Sequence, residues 1–145
     1  MIMTSFRPDV MSESDIQDIR RLFISQAAAE TAHDIDAMDD IILRVDEGAP
    51  DPVSFVARAY TFWGRDAVME HFRKQFGGVW AMEPDQAAIR IIPITADVAQ
   101  IYAPCKITIG ALGQPANTLT FLINEMAVRT RQGWKISTFV PVPAQ

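Results

Sequence analysis

The hydrophobic period of this chain changes once, near Gly77 and Gly78, and that change limits what it can build. Before the glycines, apolar residues recur at helical spacing; after them they alternate. Residues 87–95, 98–111, 118–131 and 134–142 read as strands, separated by turn signals at Ala96-Asp97, Gly110 to Pro115 and Gln132-Gly133. Consecutive late strands hairpin into one antiparallel sheet, and the early helices must cover one of its faces. The expected class is α+β.

The helices carry their own start signals. Ser12 precedes Glu13 and Asp15 as an N-cap, and Met11 is placed to staple onto Ile16. From there to about Thr31 the residues form helix readily, without glycine or proline. A second short helix follows Asp34, over residues 35–42, and residues 47–52 form a loop. Residues 53–56 and 59–62 read as short strands. Residues 64–76 read as a third helix with Val68, Met69, Phe72 and Phe76 on one side, ended by Gly77-Gly78 in a left-handed turn.

At 145 residues the chain has the size of one domain, residues 1–145, with residues 1–11 expected to be a flexible lead-in. Its apolar share of 49% and charged share of 21% are those of a globular core. The net charge of −5 and the scattered basic residues argue against a nucleic-acid or membrane-surface partner. Cys105 is the only cysteine, so no internal disulfide forms, and the first residues carry neither a signal nor a transit pattern. A cytoplasmic location is expected.

Two polar residues interrupt the apolar face of the first helix. At 100° per residue, Ile16, Ile19, Leu22, Phe23 and Ala27 share an arc of roughly 140° that also contains Gln26 and Glu30. Buried groups of this kind need a partner, neutralisation or a wet cavity. Either the helix faces a pocket, or its end leaves the core and the polar tips reach solvent. Glu125 interrupts a strand face in the same way, sharing parity with Leu119, Phe121, Ile123 and Ala127. It is either a pocket acid with a raised pKa or a residue turned outward by a bulge or paired with Arg129 or Arg131.

Three stretches in this order resemble the nuclear transport factor 2-like superfamily, above all its SnoaL-like and SgcJ/EcaC-type branches. Residues 25–38 are similar to the end of the family's first helix and the turn after it, with His33 where glycine is usual. Residues 62–72 resemble the start of its third helix, and residues 126–139, with Trp134-Lys135-Ile136, its closing hairpin. The resemblance spans about residues 14–140 and implies a strongly curved, mostly antiparallel sheet wrapped round the N-terminal helices as a cone with a central pocket. It also implies a homodimer paired through the outer face of the sheet. In the ketosteroid isomerase relatives a tyrosine of the oxyanion hole lies where this chain has Gln26. Their general-base aspartate would fall near Phe55 to Ala57, where no carboxylate stands, and their second acid near Glu125. Steroid-type isomerase chemistry is therefore not implied. The last strand ends in Phe139-Val-Pro-Val-Pro143 instead of the polar group common among SgcJ/EcaC-type sequences.

Other constellations add little. His33, His71 and Cys105 lack metal-ligand spacing, so no metal and no cofactor are expected. His71 is read as a surface or hydrogen-bonded structural residue and Cys105 as an inert core thiol. Trp63 and Trp134 are read as packing residues, whereas Trp80 and Tyr60 can wall an apolar ligand. Two functions remain open. One is a domain binding a small apolar metabolite through Gln26, Tyr60 and Trp80. The other is a cofactor-independent isomerase, cyclase or hydrolase with Glu30 and Glu125 as acid and base.

Overall fold

A computed structural model describes residues 11–144; the remainder of the segment expected to be a flexible lead-in lies outside the described residues. Helix α1 (Glu13–Thr31) begins where Ser12 Oγ accepts the Asp15 amide at 3.0 Å. Met11, just before the cap, is buried. Asp34 caps α2 (Ile35–Ile41) by accepting the Ala37 amide at 3.0 Å. Between these helices His33 has φ 56°, in the left-handed region that favours glycine. Its Nε2 lies 2.9 Å from the Trp80 carbonyl, which ties the turn to the sheet, and its ring stacks on Phe76 at 5.2 Å.

Strands β1 (Ser54–Val56) and β2 (Thr61–Trp63) form a short antiparallel hairpin and lead into α3 (Arg65–Gln75). Then come β3 (Val79–Pro84), β4 (Arg90–Thr95), β5 (Val98–Gly110), β6 (Asn117–Thr130) and β7 (Gly133–Pro143). The sheet runs β2-β1-β7-β6-β5-β3, with β4 also on β5, and only the β1–β7 pairing is parallel among these strands. One edge of β5 serves two partners in succession, β4 along residues 98–102 and β3 along 105–110. Register shifts at Pro93/Thr95 and Met126/Ala127 help bend the sheet around α1.

The core lies in that bend. Ile19 and Phe23 of α1 and Phe72 of α3 meet Ile101, Ile107 and Ile136 of the sheet, all almost wholly buried. Asp15 fixes the outer end of α1 by accepting Arg129 Nη1 and Nη2 at 3.1 and 2.7 Å and Trp134 Nε1 at 3.4 Å. The Arg129 guanidinium also stacks over the Trp134 ring, 4.7 Å from its centroid.

Four local expectations are corrected. Strand β3 has no counterpart in the sequence reading because its short run, ending in Glu83 and Pro84, barely alternates. Residues 86–88 form a 3-10 turn, so β4 begins only at Arg90. Gly77 and Gly78 do not take the left-handed turn; a Cβ on Gly78 would stand 2.7 Å from the Gly110 carbonyl oxygen, so close strand approach is what demands glycine there. Trp63 is 69% exposed on the edge strand β2 and does not pack, whereas Trp134 is buried as expected.

Candidate functional site

The polar residues of the two apolar faces meet in the bend. Gln26 and Glu30 stand one turn apart on α1 and are 1% and 3% exposed, so this end of the helix stays in the core. Glu125, 3% exposed, sits on β6 between Ile101 of β5 and Phe139 of β7. It neither turns outward nor pairs with an arginine. The Gln26 Nε2 amide donates to Glu30 Oε2 at 2.8 Å and to Glu125 Oε2 at 2.7 Å. Trp80 Nε1 donates to Glu30 Oε1 at 3.1 Å. Trp80 reaches it because β3 is held against α1: Thr31 Oγ1 accepts the Met82 amide at 2.9 Å and donates to the Met82 carbonyl at 3.1 Å.

Electrostatics follow from burial. Loss of water pushes the Glu30 carboxyl up to about 7, against the opposing bonds from Gln26 and Trp80. Burial pushes Glu125 well above the ordinary range; the Gln26 bond opposes this and the neighbouring Glu30 charge reinforces it. Both carboxyls are thus biased toward the protonated acid, and Glu30 is divided between its two forms near neutral pH. Gln26 spends both amide protons on the carboxyls, which leaves Gln26 Oε1 and Glu125 Oε1 buried without partners.

These residues form the polar part of a cavity of about 80 Å³ whose other walls include Phe55, Phe72, Ile107, Ile123 and Phe139. Tyr60, Gln75, Trp80 and Ile109 line both this cavity and an adjoining cleft of about 550 Å³, forming a collar between them. Tyr60 is 47% exposed and stacks on Phe55 at 6.2 Å, so of the five expected site residues it stands apart at the collar. Among the described residues no cluster of three His, Cys, Asp or Glu could hold a metal, and no helix is long and apolar enough to cross a membrane.

His71 departs from expectation. It is half-buried, its ring packs against Phe55 and Phe62 at 4.4 and 4.7 Å, and its buried Nε2 has no partner. Burial pushes its imidazole down to about 4. Cys105 is buried as expected, its thiol pushed up to about 12, chiefly by burial. Sequence reasoning missed Gln75, whose Nε2 is also buried without a partner. The signal was present: Gln75 shares the Val68 and Phe72 face of α3, as Gln26 shares that of α1.

Comparison with known proteins gives a consistent answer on fold. A nuclear transport factor 2-like family protein of Streptomyces avermitilis, provisionally named a dehydratase, superposes with TM-score 0.78 at 16% identity, over 91% of this chain and 97% of its own. A Novosphingobium aromaticivorans protein provisionally named an aromatic ring hydroxylase gives 0.78 at 19% identity, over 94% and 93%. A nuclear transport factor 2-like superfamily protein of Salmonella enterica gives 0.77 at 14% identity, over 91% and 93%. No protein of curated function matches the chain. At these identities the structures establish the shared cone and not a shared reaction. The model of the SnoaL-like domain matches residues 19–140, from the second turn of α1 nearly to the end of β7, and the chain belongs to that family.

Proposed function

We propose that this domain binds a small, largely apolar molecule inside the cone, with one polar end of the ligand against Gln26 and Glu125. The observation that carries this reading is the pair of unpartnered oxygens, Gln26 Oε1 and Glu125 Oε1, in a wall otherwise mostly aromatic and aliphatic. Leaving a buried polar group unsatisfied costs about 1–3 kcal/mol. A ligand hydroxyl would recover that cost by donating to Gln26 Oε1 and accepting from Glu125 in its protonated form, whereas a ligand carbonyl would accept from Glu125 alone. Titration with β-naphthol and related neutral bicyclic phenols and ketones, followed by tryptophan quenching, tests the reading. Saturable binding weakened about tenfold in Gln26→Leu is expected. Absence of binding across the panel, or equal affinity in the variant, would reject it.

A second reading, acid–base catalysis without a cofactor, is favoured by the convergence of two buried carboxyls, Glu30 and Glu125, on the one Gln26 amide, both pushed up by burial. Glu30 as carboxylate would take a proton from carbon beside a ligand carbonyl, and the Glu125 O–H would hydrogen-bond the oxygen that becomes negative. Exchange of the α-protons of β-tetralone in deuterium oxide tests this step. Exchange above background that disappears in Glu30→Gln supports it, and equal rates in both proteins count against it.

Self-association through the outer sheet face is part of the proposal. Pro104, Leu122 and Val142 form one cross-strand row there, and Val142 is 40% exposed. Light scattering at micromolar concentration is expected to give a dimer; a monomer rejects it.

A further inference from the structure

The cavity and the cleft share an imbalance that the floor alone does not explain. Among the described residues, four buried side-chain atoms lack partners: Gln26 Oε1, His71 Nε2, Gln75 Nε2 and Glu125 Oε1. All four belong to residues lining this connected space, two at the floor and two near the cleft. Buried polar atoms are nearly always satisfied, so their confinement to one place marks where an outside group is to be received.

The two pairs are separated by a stack of aromatic rings. Phe139 pairs with Glu125 in the sheet, its ring lies 6.0 Å from that of Phe55, and Phe55 lies 4.4 Å from His71. His71 and Gln75 stand one turn apart on α3 and so present their polar atoms on one side of that helix. Beyond them the cleft reaches Leu112, which is 79% exposed, so this pair faces the open end. The floor holds about 80 Å³, roughly half of the ~150 Å³ that admits a benzene ring. A ligand whose polar end touches the floor must therefore carry its body through the collar and past His71 and Gln75.

We infer that His71 and Gln75 form a second polar station at the mouth of the cone, and that the ligand is an elongated, flat, apolar molecule with an oxygen function at each end. This rests on the binding reading proposed above. The Gln75 amide donates, so the outer function is a hydrogen-bond acceptor such as a ketone, ester or ether oxygen. Burial keeps His71 uncharged at neutral pH, and its imidazole can donate from Nε2 to the same oxygen in one tautomer. The phenyl rings around it fix its orientation without satisfying it.

The test compares β-naphthol with the same phenol carrying an acetyl group on the far ring, together with the corresponding biphenyl pair to allow for length. The acetylated probe of at least one pair should bind the unaltered protein about tenfold more tightly than its parent. That gain, read within each protein as the ratio of acetylated to parent affinity, should vanish in Gln75→Leu and in His71→Phe. Equal affinity for parent and acetylated probe in both pairs overturns the mouth station, assigning its atoms to trapped water, and leaves the floor reading standing. A gain that survives both variants likewise overturns it. Failure of every probe to bind removes the floor reading and the mouth station together. The comparison of probes uses the unaltered chain, so it holds even if a variant misfolds.

Discussion

Gln26 Nε2 lies 2.7 Å from Glu125 Oε2 across the core while the same nitrogen holds Glu30 at 2.8 Å on its own helix, so one amide bridges two buried carboxyls. A bridge of this kind is tolerable only while the pair carries at most one charge, since like charges at this range cannot both be left ionised out of water. The acidities of Glu30 and Glu125 are thus set jointly by the fold, and stability must depend on pH.

For Glu30 the sign is definite. Its folded carboxyl titrates near 7 against 4.5 ordinarily, so the stability it contributes is full below about 4.5 and lost as pH rises through about 7. Glu30→Gln removes that loss. The variant should gain on the parent protein progressively between these values and level off above them, by about 3 kcal/mol as an order of magnitude. Urea unfolding at a series of pH values measures it, and a difference independent of pH contradicts the burial argument.

Trp80 offers an optical reading of the same event. Its indole N–H donates to Glu30, a bond that opposes the upward push of burial. Tryptophan emission should therefore titrate with a midpoint near 7, and the transition should be missing from Trp80→Phe and from Glu30→Gln. In Trp80→Phe the carboxyl itself should titrate higher still, which carboxyl carbon shifts would report. An emission profile that is flat through neutrality excludes the contact.

The parts of this site differ in how far they could be read from sequence, for a physical reason. Helical angle puts Gln26 and Glu30 on the buried arc, and strand parity puts Glu125 on the buried face, because both depend only on local geometry. Their meeting depends on which row of β6 lies under α1, and parity gives a face but not a row. Trp80 acts through β3, a strand that alternates too little to be recognised, so its bond to Glu30 was out of reach even though its place near the pocket was not. The cone itself was legible through His33, Trp134 and their neighbours, residues whose roles are fixed by turns and hairpins close in sequence. Gly78 was misread because a clash with Gly110, distant along the chain, leaves the same mark as a helix-ending turn.

His71 carries a prediction opposite to that for most core changes. Its ring packs well among phenyl groups, but its Nε2 is buried without a partner. His71→Phe keeps the ring and removes the orphan, and should stabilise the fold by about 1 kcal/mol at neutral pH. The imidazole is pushed down from 6.5 to about 4, so the parent protein loses stability as pH falls through that interval, and the variant should lose less. Thermal melts of the two proteins at neutral pH and near the lower value measure both effects; a destabilised variant at neutral pH would mean that the nitrogen has a partner after all.

Gly78 tests the geometry that opens the collar. The first residues of β3 pass so close to the end of β5 that a Cβ on Gly78 would stand 2.7 Å from the Gly110 carbonyl oxygen, a backbone atom that cannot swing aside. Gly78→Ala must therefore separate β3 from β5 at Val79 and Trp80, at a cost of about 1–3 kcal/mol. The separation would also lengthen the Trp80–Glu30 contact, so the emission transition near neutrality should shrink and its midpoint rise in this variant although residue 78 touches neither side chain. Guanidinium unfolding gives the first quantity and a pH titration of emission the second. Loss of stability with an unmoved midpoint would show that β3 bends at Val79 and leaves Trp80 where it is, which would separate the collar from the floor mechanically.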